Sequence, residues 1–225
     1  MKIVLKKEES TLNCYLFYLV FWWEFGVQLQ TGLYHFPQIY GVWADIIVSG
    51  ITIIFIVFMR RNWLVSQLKN LKKNWKRKLF WIVFLAVLNH FACVLFSNFM
   101  YSMNFSLPEN ETALRLENQA GFLLRLLSTG IIAPILEELI YRGCIYEDIK
   151  KRFGGGIARI VSSIIFAVPH LFSTIIAGNY INLLWGICYF TAGYLFSIAY
   201  EKTGSVAGSA LTHALYNTCA VLQQL

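Results

Sequence analysis

Three short segments of the sequence place charged or polar side chains inside apolar stretches: EELIYR (Glu137–Arg142), FAVPH (Phe166–His170) and HALYN (His213–Asn217). A carboxylate or an imidazole can take a proton from water, and N–H groups can stabilise a developing oxyanion. Charged side chains in apolar helices are costly and usually face a cavity, a partner or a functional site. The three segments therefore indicate one candidate site for acid–base chemistry.

Helix geometry predicts different neighbours for the two adjacent glutamates. Successive residues of an α-helix point about 100° apart, so Glu137 and Glu138 cannot face the same point. Glu138 and Arg142 are four positions apart with the acid nearer the N-terminus, which is the favourable order for a helical ion pair. We expect Arg142 to neutralise Glu138, which leaves Glu137 as the carboxylate available for chemistry.

The other two segments show the same four-residue spacing. His213 and Asn217 share one helical face, and both side chains can donate hydrogen bonds to an oxyanion. Phe166 and His170 also share a face, and we expect the phenyl ring to wall the cavity while His170 orients a water molecule. A single histidine in an apolar helix is more often a packed interhelical contact, so the prediction depends on the groups meeting.

The elements that must position these residues are membrane helices. The chain has 225 residues, of which 57% are hydrophobic and only 14% are charged, and a membrane-spanning helix needs about 20 apolar residues. We predict an all-α, polytopic integral membrane bundle of about seven transmembrane helices, with six to eight compatible with the pattern. The expected spans are Leu12–Leu33, Tyr40–Met59, Leu79–Met100, Ala120–Tyr141, Ile160–Gly178, Ile181–Tyr200 and Ser205–Leu222.

The basic residues predict an orientation in the membrane. With a cytoplasmic N-terminus, all Lys and Arg residues except Arg115 and Arg125 fall in cytoplasmic segments, as the positive-inside rule requires. In this topology Glu137, His170 and His213 lie at one depth, on the order of 13 to 15 Å below the cytoplasmic edge. The basic loop at 60–78 has apolar residues at helical spacing, so it is either an amphipathic segment on the inner leaflet or a solvated loop. We predict a cell-membrane protein whose site opens toward the cytoplasm.

Several functional classes lack support in the sequence. It contains neither the HExxH pattern of zinc proteases nor the GxSxG turn of serine hydrolases. Anionic lipid headgroups explain the net charge of +7 more simply than nucleic acid does. A proton-coupled carrier would also place Glu and His in the membrane, but the chain shows no pair of discontinuous helices in two halves.

The three segments, in this order, resemble the CPBP family of intramembrane glutamic endopeptidases, which includes CAAX proteases, bacteriocin-processing enzymes and abortive-infection proteins. The pattern of that family is EExxxR, then FxxxH, then HxxxN on successive helices. The approach to the last segment, with KTGS at 202–205, is also similar. The resemblance covers residues 120–222, so we expect N-terminal transmembrane helices with a basic cytoplasmic loop and a polar external loop at 1–119, and a catalytic core at 120–225.

The resemblance implies a glutamate-dependent intramembrane endopeptidase that uses no cofactor. In that assignment Glu137 and His170 activate water, His213 and Asn217 stabilise the oxyanion, and Glu138, Arg142 and Phe166 support the site. Two Glu and two His have the ligand types that suit zinc, and we favour a metal-free site because the family uses Glu and His directly.

The implied partners are a lipid bilayer and a substrate, either a bacteriocin or signalling-peptide precursor or a membrane protein. Nucleic acid is not among the expected partners. The alternative is a non-catalytic membrane protein, either a bacteriocin immunity factor or a scaffold that regulates a membrane sensor kinase.

Overall fold

A computed structural model describes residues 38–109, 111–112 and 121–223. Within these residues every regular element is helical, so the all-α class is confirmed. The predicted span Leu12–Leu33 and the basic residue Arg115 lie outside the described residues. The α-helices are α1 Gln38–Met59, α2 Arg61–Lys72, α3 Trp75–Ser102, α4 Phe122–Leu127, α5 Ala133–Ile140, α6 Glu147–His170, α7 Phe172–Ile176, α8 Gly186–Thr203 and α9 Val206–Leu222.

Four predicted spans correspond closely to observed helices. Helices α1 and α3 match the predicted Tyr40–Met59 and Leu79–Met100, and α9 matches Ser205–Leu222. The predicted Ile181–Tyr200 is a 3₁₀ turn, Tyr180–Trp185, followed by α8. Long apolar runs determine these helices locally, which is why the sequence places them well.

The predicted boundary at Tyr141 is wrong, because the helical path continues past it. A π-helical turn, Ser128–Ile132, joins α4 to α5, and a second π-helical turn, Tyr141–Tyr146, joins α5 to α6. The path changes direction at Gly154, which has φ +82° and ψ 167°. That φ is accessible mainly to glycine, so the break falls at the GGG stretch at 154–156 rather than at the charged residues.

The predicted span Ile160–Gly178 is also wrong as a continuous helix. Helix α6 ends at His170, and the chain turns at Leu171 before α7 begins. Pro169 lacks the N–H that an α-helix needs, and the last turn closes with Leu171 N–H donating to Val168 O at 3.0 Å. His170 therefore lies at the end of a helix and not in its middle.

In the described part of the chain, two helical segments are long and apolar enough to cross a membrane, Trp75–Ser102 and Tyr180–Thr203. A third crossing results if the pair Asp45–Met59 and Arg61–Lys72, bent by 90°, is taken as one broken span. The π-helical turns bound the short helices α4 and α5, and Gly154 divides α6. The predicted number of about seven crossings stays a prediction.

Helix α9 lies at the centre of the packing, in contact with α3, α5 and α8, and α8 also packs along α6. Leu85 of α3 and Leu195 and Ala199 of α8 form one buried cluster. Gly193 lets α8 approach α6 closely, because a Cβ there would lie 3.1 Å from the Cα of Ser163. The helices that carry the candidate residues are thus held against one another by apolar contacts.

The basic segment at 60–78 forms helix α2 and the start of α3. Trp63 packs against Gly143, Asn70 donates to the carbonyl oxygen of Gly204 at 2.5 Å, and the N–H of Val206 donates to Gln67 at 3.1 Å. Helix α2 therefore contacts both the end of α8 and the start of α9, while Lys69 and Lys72 remain exposed.

Candidate active site

The two glutamates lie on α5, a short helix with a π-helical turn on either side. Pro134 is in the first turn of α5, where the missing proline N–H costs little. π-Helical turns insert an extra residue and are frequent at functional sites. They shift the side chains that follow them relative to an ordinary helix, and so help set which way Glu137, Glu138 and Arg142 point.

Arg142 and Glu138 form the ion pair expected from their spacing. Arg142 Nη1 lies 2.9 Å from Glu138 Oε1, and both side chains are 0% exposed. Arg142 Nη2 donates to the carbonyl oxygen of Gly193 at 2.6 Å. The guanidinium carbon also lies 5.0 Å from the ring centre of Phe166 and 5.5 Å from that of Phe196. Aromatic faces stabilise a cation, so this buried charge has several partners.

His213 lies between the two carboxylates. Its Nδ1 is 3.2 Å from Glu138 Oε1, and its Nε2 is 3.9 Å from Glu137 Oε2. Side-chain exposure rises in the same order, from 0% for Glu138 to 4% for His213 and 14% for Glu137. Glu137 is therefore the carboxylate nearest the open side of the cluster, and Glu138 is the one enclosed by protein.

His170 joins this cluster through aromatic contacts. Its ring stacks between Phe166, at 4.8 Å between ring centres, and Tyr189 of α8, at 4.7 Å. Phe166 in turn lies 5.8 Å from the ring of His213. The Nδ1 atom of His170 is 2.9 Å from the carbonyl oxygen of Phe166. Phe166 thus contacts both histidines, and the orientation of His170 is set by its own helix end.

Asn217 lies one turn beyond His213 on α9, and its amide has a partner on the first π-helical turn. Its Nδ2 donates to the carbonyl oxygen of Thr129 at 2.8 Å. An NH₂ group has two protons, so one further donor position belongs to this amide. The contact ties α9 to the segment just before α5 and fixes the amide plane.

The chemistry of the cluster combines two carboxylates, two imidazoles, a guanidinium and an amide. Within the described ranges, no three His, Cys, Asp or Glu side chains are grouped so that they could hold a metal ion.

Other residues in contact with the cluster were not predicted from the sequence. Ser209 donates to Glu138 Oε2, and Phe196 stacks on His213 with 4.1 Å between ring centres. Ser209 is four residues before His213, so the spacing used for Asn217 could have found it. No local signal indicates Tyr189 or Phe196, because α8 carries no charged residue near the site.

Comparisons with known proteins agree with the resemblance. Residues 119–219 match the family model described as Type II CAAX prenyl endopeptidase Rce1-like. UPF0177 protein YxdF of Lactococcus lactis is 25% identical over 173 residues, which is 74% of this chain and 89% of that protein.

Two further relatives match over 102 residues each. YdiL of Bacillus subtilis is 28% identical, over 45% of this chain and 38% of its own. Membrane-embedded CAAX protease MroQ of Staphylococcus aureus is 33% identical, over 43% of this chain and 37% of its own. The chain therefore covers less than half the length of these two relatives.

No solved structure matches the chain. The family match includes all three motif segments, and two of the described helical segments are long and apolar enough to cross a membrane. Residues 119–219 of this membrane protein are therefore similar to the Rce1-like family of type II CAAX prenyl endopeptidases.

Proposed function

We propose that the chain is an intramembrane endopeptidase that hydrolyses a peptide bond without a metal or a cofactor. Its substrate is a peptide precursor of the bacteriocin or signalling-peptide type, or a membrane protein. The observation that carries the proposal is the different exposure of the two adjacent glutamates. Glu138 is enclosed and paired with Arg142, whereas Glu137 is partly exposed beside the Nε2 atom of His213.

In the proposed reaction Glu137 and His170 activate the attacking water. Glu137 supplies a carboxylate on the open side of the cluster that can accept a proton from the water. The Nε2 atom of His170 is the second acceptor for that water, because the Nδ1 atom is already hydrogen-bonded to the carbonyl oxygen of Phe166. His213 and Asn217 then stabilise the oxyanion. Glu138 and Arg142 support His213, and Phe166 separates the two imidazoles.

The test compares wild-type protein with Glu137→Gln, His170→Ala and His213→Ala, purified in lipid nanodiscs and mixed with a library of quenched fluorescent peptides. Acid–base residues typically contribute a hundredfold or more, so each variant should lose roughly that much peptide cleavage. His90→Ala is the matched control, because His90 is a helical histidine whose contacts are Gln223 and the ring of Tyr216, which are not among the proposed catalytic or supporting residues. His90→Ala should cleave at the wild-type rate.

Wild-type cleavage that persists in all three folded variants would defeat the assignment. A wild-type chain that cleaves nothing in the library but still confers bacteriocin resistance would favour the immunity factor or scaffold. The metal-free part has a separate test, since activity lost in a chelator and restored by zinc would contradict it.

We also propose a cellular location for the protein. The chain would be a multi-pass protein of the cell membrane with a cytoplasmic N-terminus and a site open to the cytoplasm, as the Lys and Arg distribution indicates. Its partners would be the substrate and the lipid bilayer, and a sensor kinase or a bacteriocin system is the proposed protein partner.

A further inference from the structure

Each histidine of the site has one ring nitrogen against an atom that accepts hydrogen bonds. The Nδ1 of His170 faces the carbonyl oxygen of Phe166 at 2.9 Å, and the Nδ1 of His213 faces Glu138 Oε1 at 3.2 Å. A carbonyl oxygen and an ionised carboxylate only accept. In a neutral ring the proton must then be on Nδ1, and Nε2 carries a lone pair.

The carboxylate of Glu138 is held in its ionised form by donors on both oxygens. Arg142 Nη1 donates to Oε1 at 2.9 Å. The hydroxyl of Ser209 has a single proton and two acceptors within reach, Glu138 Oε2 and the carbonyl oxygen of Phe196 at 2.9 Å; the carboxylate takes the proton, because it is the nearer acceptor and is charged. Charge-assisted hydrogen bonds of this kind are strong, and they favour the charged form of the acceptor. Ser209 is 0% exposed and lies one turn before His213 on α9. It therefore orients the carboxyl group whose other oxygen faces His213.

We propose that Ser209 and Glu138 are positioning residues that hold His213 with its proton on Nδ1, so that Nε2 becomes a donor only after accepting a proton. The inference rests on the proposed function and adds an order of proton transfers to it. A neutral His213 in this orientation has no proton on Nε2 to offer the oxyanion. His213 must therefore first accept a proton that the reaction releases from water.

The sequence of transfers balances without any further reactant. Glu137 takes a proton from water while the water oxygen bonds to the substrate carbonyl carbon and the carbonyl electron pair moves to its oxygen. The proton then passes from Glu137 to the Nε2 of His213, which lies 3.9 Å from Glu137 Oε2. The imidazolium donates to the oxyanion, and the proton leaves with the amine nitrogen when the C–N bond breaks.

The surroundings of His213 suit this transient charge. Glu138 stabilises the positive ring through Nδ1, and the face of Phe196 lies parallel to it within 22° and at 4.1 Å. A cation is stabilised over an aromatic face. The carboxylates of Glu137 and Glu138 and the guanidinium of Arg142 together carry one net negative charge. Protonation of His213 therefore brings the net charge of these four residues to zero.

The direct test is nitrogen NMR of the full-length protein in nanodiscs, labelled with ¹⁵N only in histidine. The chain has four histidines, and His213→Ala identifies the signal of His213. Under conditions where the ring is neutral, we expect the chemical shifts of the Nδ1–H form. The Nε2–H pattern in unaltered protein would overturn the proposal, and this reading does not depend on finding a substrate.

A matched pair of serine variants tests the role of Ser209. Ser197 is also 0% exposed and donates to a backbone carbonyl oxygen, that of Gly193 at 3.0 Å. Its other hydrogen-bond partner is the hydroxyl of Ser162 and not a carboxylate. We expect Ser209→Ala to give a mixture of the two ring forms of His213, whereas Ser197→Ala should keep the wild-type spectrum. Identical spectra for the two variants would contradict the positioning role.

Kinetics separate this proposal from the proposed function. With any peptide that the wild type cleaves, Ser209→Ala should lower kcat about tenfold, the scale of one hydrogen bond to a charged group, with KM unchanged. Ser197→Ala should keep both constants. If the wild type cleaves peptides while the neutral ring of His213 has its proton on Nε2, only the positioning role is contradicted. If the wild type cleaves no peptide, the proposed function is contradicted, and the NMR spectrum still shows which ring nitrogen of His213 carries the proton.

Discussion

Glu137 and Glu138 are adjacent in the chain, and their carboxylates have different surroundings. Glu138 contacts Arg142, Ser209 and His213 and is fully enclosed, whereas Glu137 keeps 14% of its side chain exposed. The difference comes from helix geometry, since neighbouring residues point about 100° apart. One carboxylate can then serve as part of the framework while the other meets a substrate.

Removing the guanidinium of Arg142 should be costly for stability. Arg142→Ala leaves the enclosed carboxylate of Glu138 without its countercharge, and breaking a buried ion pair typically costs about 3 to 5 kcal/mol. We expect that much loss in the free energy of unfolding, measured by denaturing detergent titration of the purified protein.

Lys150→Ala is the control for Arg142→Ala. Lys150 Nζ lies 3.9 Å from Glu147, and 46% of its side chain is exposed. An exposed pair contributes at most about 1 kcal/mol. Equal losses in the two variants would show that the Arg142 pair adds nothing by being buried.

At the scale of elements, the close approach of α8 to α6 depends on Gly193. A Cβ at this position would lie 3.1 Å from Ser163 Cα and 3.2 Å from the ring of Phe166. Backbone atoms cannot move aside as a flexible side chain can, so Gly193→Ala should displace α8 and cost about 1 to 3 kcal/mol, as overpacking does. Unfolding in detergent measures the loss, and peptide cleavage should fall with it.

Gly156→Ala tests whether the effect comes from packing. Gly156 is in α6, exposed, and has nothing within 4 Å of an added Cβ. Alanine is favoured over glycine in a helix by roughly 0.5 to 1 kcal/mol, so this variant should be slightly more stable than the wild type. A stabilising Gly193→Ala would refute the close approach.

At the scale of the whole molecule, Glu109 precedes the region that matches the family model, residues 119–219, and binds to residues inside that region. Glu109 accepts hydrogen bonds from Thr174 at 2.7 Å and from Asn179 at 2.9 Å. Partial burial alone would raise the pKa of Glu109, but these hydrogen bonds outweigh burial and hold the pKa below its ordinary value. The folded protein therefore favours the ionised form.

This lowered pKa predicts the direction of a pH effect on stability. The contribution of Glu109 is fully present above the pKa of the unfolded chain, about 4.3, and is lost as the pH falls through the lower pKa of the folded state. The Tm of wild-type protein should exceed that of Glu109→Gln at pH 6, and the difference should shrink toward about pH 3. A difference that grows as the pH falls would mean that the neutral form is the one stabilised.

The orientation of the whole molecule can be tested on intact cells. In a variant with serine at all five cysteine positions, a membrane-impermeant maleimide should label Glu111→Cys and leave Lys73→Cys unlabelled until the cells are opened. The expectation follows from the cytoplasmic placement of the basic segment. Labelling of Lys73→Cys alone from outside would reverse the topology and place the site on the other side.

The sequence by itself determined the features that depend on neighbours a few residues apart. Helices α1, α3 and α9 follow from apolar runs, and the Glu138–Arg142 pair follows from four-residue spacing. Such contacts need only a helix, which the local sequence specifies. The motif segments were visible for the same reason, because each fits within six residues.

Only the tertiary structure decided how the segments meet. Ser209 and His213 reach Glu138 across 71 and 75 residues of chain, and Tyr189 stacks on His170 because α8 packs along α6. The end of α6 at His170 and the π-helical turns around α5 also escaped prediction. The same apolar composition permits many arrangements of the helices, and long-range packing and local backbone geometry select one of them. A four-residue sequence pattern has no information about either.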